Sequence, residues 1–180
     1  MHERRYSGEV ERLRKPERVE LLEVERVIAL AMDGIKVQSV LDVGTGSGIF
    51  AEAFAKKKIS VTGIDPNPDM LKAAKEFTPD GTFHQGTVEK IPFPDETFDL
   101  VFLGLILHES DDLIKALSES KRCAKHRVAV LEWPYKQEEN GPPLAHRLKA
   151  EEIIAYAEKV DLSLMDAVQL NHLELFRFTI

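Results

Sequence analysis

Val40-Leu41-Asp42-Val43-Gly44-Thr45-Gly46-Ser47-Gly48 is an apolar run interrupted by one acid and closed by glycines at three alternate positions. Immediately afterwards Ile49, Phe50, Ala53 and Phe54 recur at the spacing of a helix face. The segment reads as a buried strand (Gln38–Val43), a tight turn, and a helix from Ser47 to about Lys57. Glycines let bare backbone approach a ligand, because no Cβ stands between them. The helix that follows aims the unpaired N–H groups of its first turn at the same place. A ligand with a negative group beside a nucleoside suits such a turn.

Working outward, the pattern alternates between strand and helix. Before the turn, residues 1–15 are strongly charged and read as an arm or irregular helix. Pro16 then opens a helix carrying Leu21, Val24, Val27, Ile28 and Ala31, which Gly34 stops. After the turn, Ile59–Ile64 is a second strand ending at Asp65, and Asn67-Pro68 starts a helix with Met70, Leu71 and Ala74. Phe83–Gly86 is a brief third strand. Phe98–Leu105 is continuously apolar, as in a strand buried on both faces. Ser110-Asp111-Asp112 caps a helix with Leu113, Ile114 and Leu117, and Arg127–Trp133 is the fifth strand. A Pro- and Gly-containing loop, 133–147, leads to a helix at Ala150–Val160. Leu162–Leu170 and Leu173–Ile180 form a closing hairpin about Asn171-His172. Five strand-then-helix units and a terminal hairpin predict a doubly wound α/β sheet with an antiparallel edge. Residues 1–35 form an arm and helix packed on one domain, 36–180. In such sheets ligands sit at the carboxyl ends of the strands.

Composition narrows the function. The chain has 180 residues, 43% hydrophobic and 31% charged, with a net charge of −7. One core of this size suits a single globular domain. The arginines near the N-terminus are interleaved with Glu3, Glu9, Glu11 and Glu17, so no basic face invites nucleic acid or an anionic membrane. The longest apolar run, Leu100–Leu107, is 8 residues, too short to span a bilayer. Together with an N-terminus that shows no signal peptide, this points to the cytoplasm. A single cysteine, Cys123, excludes an internal disulfide and a multi-cysteine metal site; it reads as a buried structural thiol.

The glycine spacing, G-x-G-x-G, departs from the dinucleotide fingerprint G-x-G-x-x-G. Asp65 lies where a carboxylate accepts hydrogen bonds from ribose hydroxyls, which indicates a nucleoside ligand without choosing between NAD and S-adenosylmethionine. No Tyr-x-x-x-Lys pair and no second domain serve a dehydrogenase. Three stretches in order then carry a resemblance: the Val40–Gly48 turn, Ile64-Asp65-Pro66-Asn67-Pro68-Asp69-Met70-Leu71, and Gly86-Thr87-Val88-Glu89-Lys90-Ile91-Pro92-Phe93-Pro94-Asp95-Glu96-Thr97-Phe98-Asp99. Together they resemble the motifs of class I S-adenosylmethionine-dependent methyltransferases, of the branch that includes ubiquinone- and menaquinone-biosynthesis enzymes.

The resemblance implies a Rossmann-like, three-layer α/β/α fold with seven strands in the order 3-2-1-4-5-7-6, strand 7 antiparallel. It implies S-adenosylmethionine as methyl donor, S-adenosylhomocysteine as product and a small-molecule acceptor. By position it places Gly44, Thr45, Gly46 and Gly48 at the methionine part and Asp42 at its ammonium, directly or through water. Asp65 and Pro66 fall at the ribose, Met70, Thr87 and Val88 at the adenine, and Leu103 and Gly104 at the end of the fourth strand. Many relatives carry Asp where this chain has Thr87, and a hydroxyl pairs less strongly than a carboxylate.

Methyl transfer from a sulfonium needs mainly alignment and exclusion of water. A base is required only if the acceptor must lose a proton. His108, just past the fourth strand, is the candidate, the alternative being a structural residue under a lid. Tyr6, Trp133 and Tyr135 are candidates for an acceptor pocket, with core packing the alternative for Trp133. Arg147 is either an anion-binding group or half of an ion pair. The lid is the N-terminal arm or the 133–147 loop. Two other readings are a non-catalytic S-adenosylmethionine-binding module and a nicotinamide-dependent oxidoreductase. No metal site is expected.

Overall fold

Val40, Leu41 and Val43 are fully buried in β1 (Ser39–Val43), and successive residues turn to opposite faces of the sheet. The computed structural model describes residues 10–180; Tyr6 and most of the expected arm lie outside them. Three helices precede β1: α1 (Val10–Leu13), α2 (Pro16–Leu21) and α3 (Val24–Met32). After it come α4 (Ile49–Lys56), β2 (Ser60–Asp65), α5 (Pro68–Phe77), β3 (Thr82–Gln85) and β4 (Phe98–Gly104). The chain continues through α6 (Leu113–Cys123), β5 (Ala124–Glu132), α7 (Ala150–Glu158), β6 (Ser163–Gln169) and β7 (Glu174–Thr179). The sheet order is β3-β2-β1-β4-β5-β7-β6, as expected; the first five strands run parallel and β7 runs antiparallel to both neighbours.

Two apolar cores lie on the two faces. Leu41, Val43, Val101, Leu103, Val128 and Val130 face α6 and α7. Val40, Leu100, Phe102, Ala129 and Leu131 face α3 and α4. Phe102 packs against Phe50 and Phe54 of α4, the first ring tilted and the second edge-on, with ring centroids 4.9 and 5.5 Å away. Such aromatic pairs add roughly 0.5–1.5 kcal/mol beyond the area they bury. They seat the start of α4 on the sheet, and so fix the glycine turn.

Local signals hold where the partner is close in sequence. Asn67 caps α5, its Oδ1 accepting from Asp69 N at 2.9 Å, and Asp112 caps α6 through Lys115 N at 3.0 Å. Cys123 is buried and free at the end of α6.

Three expectations need correction. The helix from Pro16 is two helices, broken at Glu23, whose φ is +47°. The Glu23 carboxylate accepts Asn171 N–H from the β6–β7 turn at 2.8 Å and Arg26 Nη1 at 2.7 Å, which holds the kink. The break lets both Leu22 and Val24 turn into the core, which one straight helix would not allow.

The third strand, Thr82–Gln85, has no helix after it, so there are four strand-then-helix units before the hairpin. Residues 86–97 instead cross to β4 as irregular chain held by α6. Glu119 accepts Ile91 N–H at 3.0 Å, and Arg122 donates to Ile91 O at 3.1 Å and Phe93 O at 2.8 Å. The fifth strand begins at Ala124, directly after α6, and stops at Glu132. Lys125 and His126, both exposed there, mask its start in a hydrophobicity pattern.

Candidate functional site

The strand order reverses beside β1, with β2 on one side and β4 on the other. Loops leaving such a reversal diverge and open a crevice. The crevice here has a volume of ≈ 780 Å³, within the roughly 300–1,000 Å³ usual for small-molecule sites. Its wall is built from the segments that follow β1, β2, β3, β4 and β5 in turn.

The first segment is the glycine turn. Gly44 has φ +69°, and a Cβ there would fall 2.5 Å from Ile106 Cγ1, so only glycine fits. Thr45 N donates to Ile64 O at 2.9 Å, fastening the turn to β2. Asp65, at the end of β2, accepts Gly46 N–H at 3.0 Å on one carboxylate oxygen and Asn67 N–H at 2.8 Å on the other. Burial raises its pKa, against the lowering effect of those two amides. Gly44, Thr45, Gly46, Asp65, Pro66, Met70, Thr87, Val88 and Gly104 all line the crevice.

Three expected residues lie beneath that wall. Asp42 is 1% exposed and takes the Thr45 hydroxyl at 2.7 Å, so the turn covers it from the crevice. Burial pushes its pKa up to about 7; Thr45 opposes this and the nearby Asp65 adds to it. Gly48 packs against Ala74 of α5. Leu103 is wholly buried between β1 and β5, and the strand reaches the crevice at Gly104.

The Gly86–Val88 segment is clamped by Glu89, a residue the sequence motif contained without a role. Its Oε1 accepts Ser110 Oγ at 2.7 Å and Asp111 N–H at 3.1 Å.

On the far side, His108 sits in a short 3-10 turn, Leu107–Glu109, and lines the crevice with its ring largely buried. Its Nδ1 is 2.8 Å from Glu132 Oε2, and its main-chain N–H donates to Glu132 Oε1 at 3.1 Å. Burial by itself lowers the His108 pKa, but the charge and hydrogen bond of Glu132 raise it further than burial lowers it. Glu109 adds to the rise and Arg147 opposes it. Glu132 escaped sequence reasoning. The one signal was an acid directly after the apolar run Val128–Leu131, and the structure leaves it 2% exposed.

Trp133 is both core and wall: 4% exposed, it still lines the crevice. Gly141, at φ +87°, lies so near its ring that a Cβ would fall 2.6 Å from Trp133 Cδ2. Arg147, expected as an anion-binding group or half of an ion pair, is buried at the end of this loop and is hydrogen-bonded to main-chain carbonyls. Its guanidinium donates to Pro142 O at 2.9 Å, Pro134 O at 3.1 Å, Lys136 O at 2.7 Å and Asn140 O at 2.6 Å. Tyr135 is outside the crevice and exposed, with Lys149 Nζ 5.3 Å from its ring centre.

From the N-terminal side α1 reaches the glycine turn. Leu13 lines the crevice, Arg14 donates to Ser47 O at 2.7 Å, and it pairs with Glu52 of α4. Among the described residues no group of three or more His, Cys, Asp or Glu side chains is arranged to hold a metal.

A family model described as "Methyltransferase domain" matches residues 41–131. A demethylmenaquinone methyltransferase from Chlorobaculum parvum is 37% identical over 95 residues, 52% of this chain and 39% of that protein. The enzyme of that name from Thermotoga maritima is 30% identical over 112 residues, 60% of this chain and 48% of that protein. The chain thus matches less than half the length of these relatives. A solved S-adenosylmethionine-dependent methyltransferase from Aquifex aeolicus superposes with a TM-score of 0.84 at 27% identity, covering 95% of this chain and 96% of that one.

Proposed function

The chain belongs to the methyltransferase domain family of S-adenosylmethionine-dependent enzymes, and on that premise we propose that it methylates a small, largely apolar acceptor in the cytoplasm. One observation carries the reading. A single crevice joins the glycine turn and Asp65 to His108 and Trp133, so a nucleoside site and an acceptor site share one space.

The residues fit the donor. Gly46 lines the crevice, and a Cβ there would meet nothing nearer than 4.0 Å, so its main chain borders open space. Each Asp65 oxygen takes one main-chain N–H and keeps a further lone pair for a hydroxyl. Gly44–Gly46 would hold the amino-acid part, Asp65 and Pro66 the ribose, and Met70, Thr87 and Val88 the adenine. Asp42 would favour the ammonium from beneath the turn, through its charge rather than by contact. Bound there, the donor supplies a methyl group already activated on a sulfonium.

The remaining work is positioning. Trp133, Leu105, Ile106, Pro142 and Pro143 offer the acceptor an apolar wall, suited to a planar ring. The name shared by the two relatives, demethylmenaquinone methyltransferase, supports an aromatic hydroquinone as the first acceptor to try. Arg147 would hold the loop against that ring, and His108 would take a proton if the acceptor must lose one.

Calorimetric titration tests the donor site. S-adenosylhomocysteine should bind and NAD should not, and Asp65→Ala should weaken binding by more than about tenfold, since a charged hydrogen-bonding group is lost. Binding of NAD without S-adenosylhomocysteine would sink the reading.

A further inference from the structure

We propose that Glu132 is a positioning residue that fixes the His108 ring with its proton on Nδ1, leaving Nε2 as the proton acceptor on the crevice side. The acceptor class is then a weak acid, a phenol-like hydroxyl that arrives protonated. The inference rests on the methyl-transfer reading above and names a group that reading did not require.

A carboxylate is acceptor-only, so the nitrogen facing Glu132 Oε2 at 2.8 Å carries the hydrogen. A neutral imidazole has one N–H, and Nε2 therefore holds the lone pair. The carboxylate is fixed on its own side: Oε1 takes His108 N–H, and Oε2 also takes Trp133 N–H at 3.3 Å. The carboxylate thus ties the His108 ring to the main chain at the ends of β4 and β5. Because Glu132 is 2% exposed, its charge is poorly screened and bears strongly on the ring.

In the step, the acceptor's O–H bond breaks and its proton joins the Nε2 lone pair. The O–H electron pair stays on oxygen and forms the new bond to carbon. The S–CH3 pair stays on sulfur, and the imidazolium is offset by Glu132. The other charged groups facing this ring are Glu109 from its own turn, 4.0 Å from Nε2, and Arg147 from the loop. His146 and Glu89 line the same crevice.

The test reads the ring itself. In ring-15N-labelled protein with S-adenosylhomocysteine added, the neutral His108 ring should be the Nδ1–H form. Its titration should fall above the ordinary histidine value. Glu132→Gln should move that titration to lower pH. A neutral ring protonated on Nε2, or a titration that Glu132→Gln leaves in place, overturns the proposal. If the variant fails to fold, the wild-type tautomer decides alone.

With 1,4-naphthohydroquinone as acceptor, His108→Ala should lose roughly 100-fold in kcat, the lower end for a general base. Glu132→Gln should lose about tenfold with KM little changed, its acid limb displaced to lower pH. Glu132→Asp should keep the limb near its wild-type position. Equal kcat and an unmoved limb in Glu132→Gln again overturn it. Failure of the wild type to bind S-adenosylhomocysteine instead defeats the donor reading, whereas the ring spectra judge the Glu132–His108 pair separately.

Discussion

The two walls of the crevice are built in opposite ways. The wall proposed for the donor is held at its amides: Asp65 accepts the Gly46 and Asn67 N–H groups, and Thr45 N–H donates to Ile64 O. The wall proposed for the acceptor is held at a side chain and at carbonyls: Glu132 on β5 faces the His108 ring, and the Arg147 guanidinium donates to the main-chain oxygens of its own loop.

The contrast breaks first at Gly44. In Gly44→Ala the new Cβ meets Ile106 and the φ of +69° becomes strained. A left-handed non-glycine residue costs roughly 1–2 kcal/mol before any clash, so a total near 3 kcal/mol and a loss of S-adenosylhomocysteine affinity beyond tenfold are expected. Urea unfolding and calorimetry check this. Unchanged affinity would mean that the donor site does not depend on the fit of the glycine turn against Ile106.

Asp42 sharpens the same wall through pH. Its folded pKa, about 7, lies above the ordinary carboxylate value because it is buried. The folded state therefore holds a proton that the unfolded chain releases from about pH 4 upward. Stability from this group is complete near pH 4, falls as pH rises toward 7, and is flat beyond. Asp42→Asn should be neutral near pH 4 and stabilising by up to about 4 kcal/mol at pH 8, by urea unfolding. The same variant should bind S-adenosylhomocysteine more weakly. Equal stability of the two proteins at pH 8 would show that the burial carries no such cost.

Arg147 gives the smallest effect and the cleanest separation of the walls. Arg147→Ala frees four carbonyls, several of which water can reach, and should cost about 1 kcal/mol of stability. S-adenosylhomocysteine affinity should hold within about twofold, while KM for a hydroquinone acceptor rises severalfold as the loop loosens from Trp133. A change in donor affinity as large as the change in KM would erase the distinction between the walls.

The legibility of each part follows its range in the chain. The glycine turn, the Asn67 and Asp112 caps and the hairpin at Asn171-His172 could be read because each is specified by residues a few positions apart. The kink at Glu23 could not, since its cause is an amide 148 residues away. Nor could the missing third helix, whose place is taken by Glu119 and Arg122 reaching back across 28–31 residues. Arg147 was singled out for its charge, yet its role is set by main-chain carbonyls, which no side-chain pattern reports.

By itself the sequence determined the alternation of strands and helices, the closing hairpin, the glycine turn and the carboxylate at the end of the second strand, while the strand order came from the family resemblance. Periodicity, glycine geometry and adjacent strand ends are all short-range constraints, written where they act. Only the tertiary structure decided that Asp42 lies under the turn, that Arg147 staples a loop, and that His108 faces Glu132. The first and last depend on which strands become neighbours at β1, β4 and β5, and the second on how one loop folds back over its own arginine; burial turns these ordinary side chains into a perturbed acid, a candidate base and a clamp.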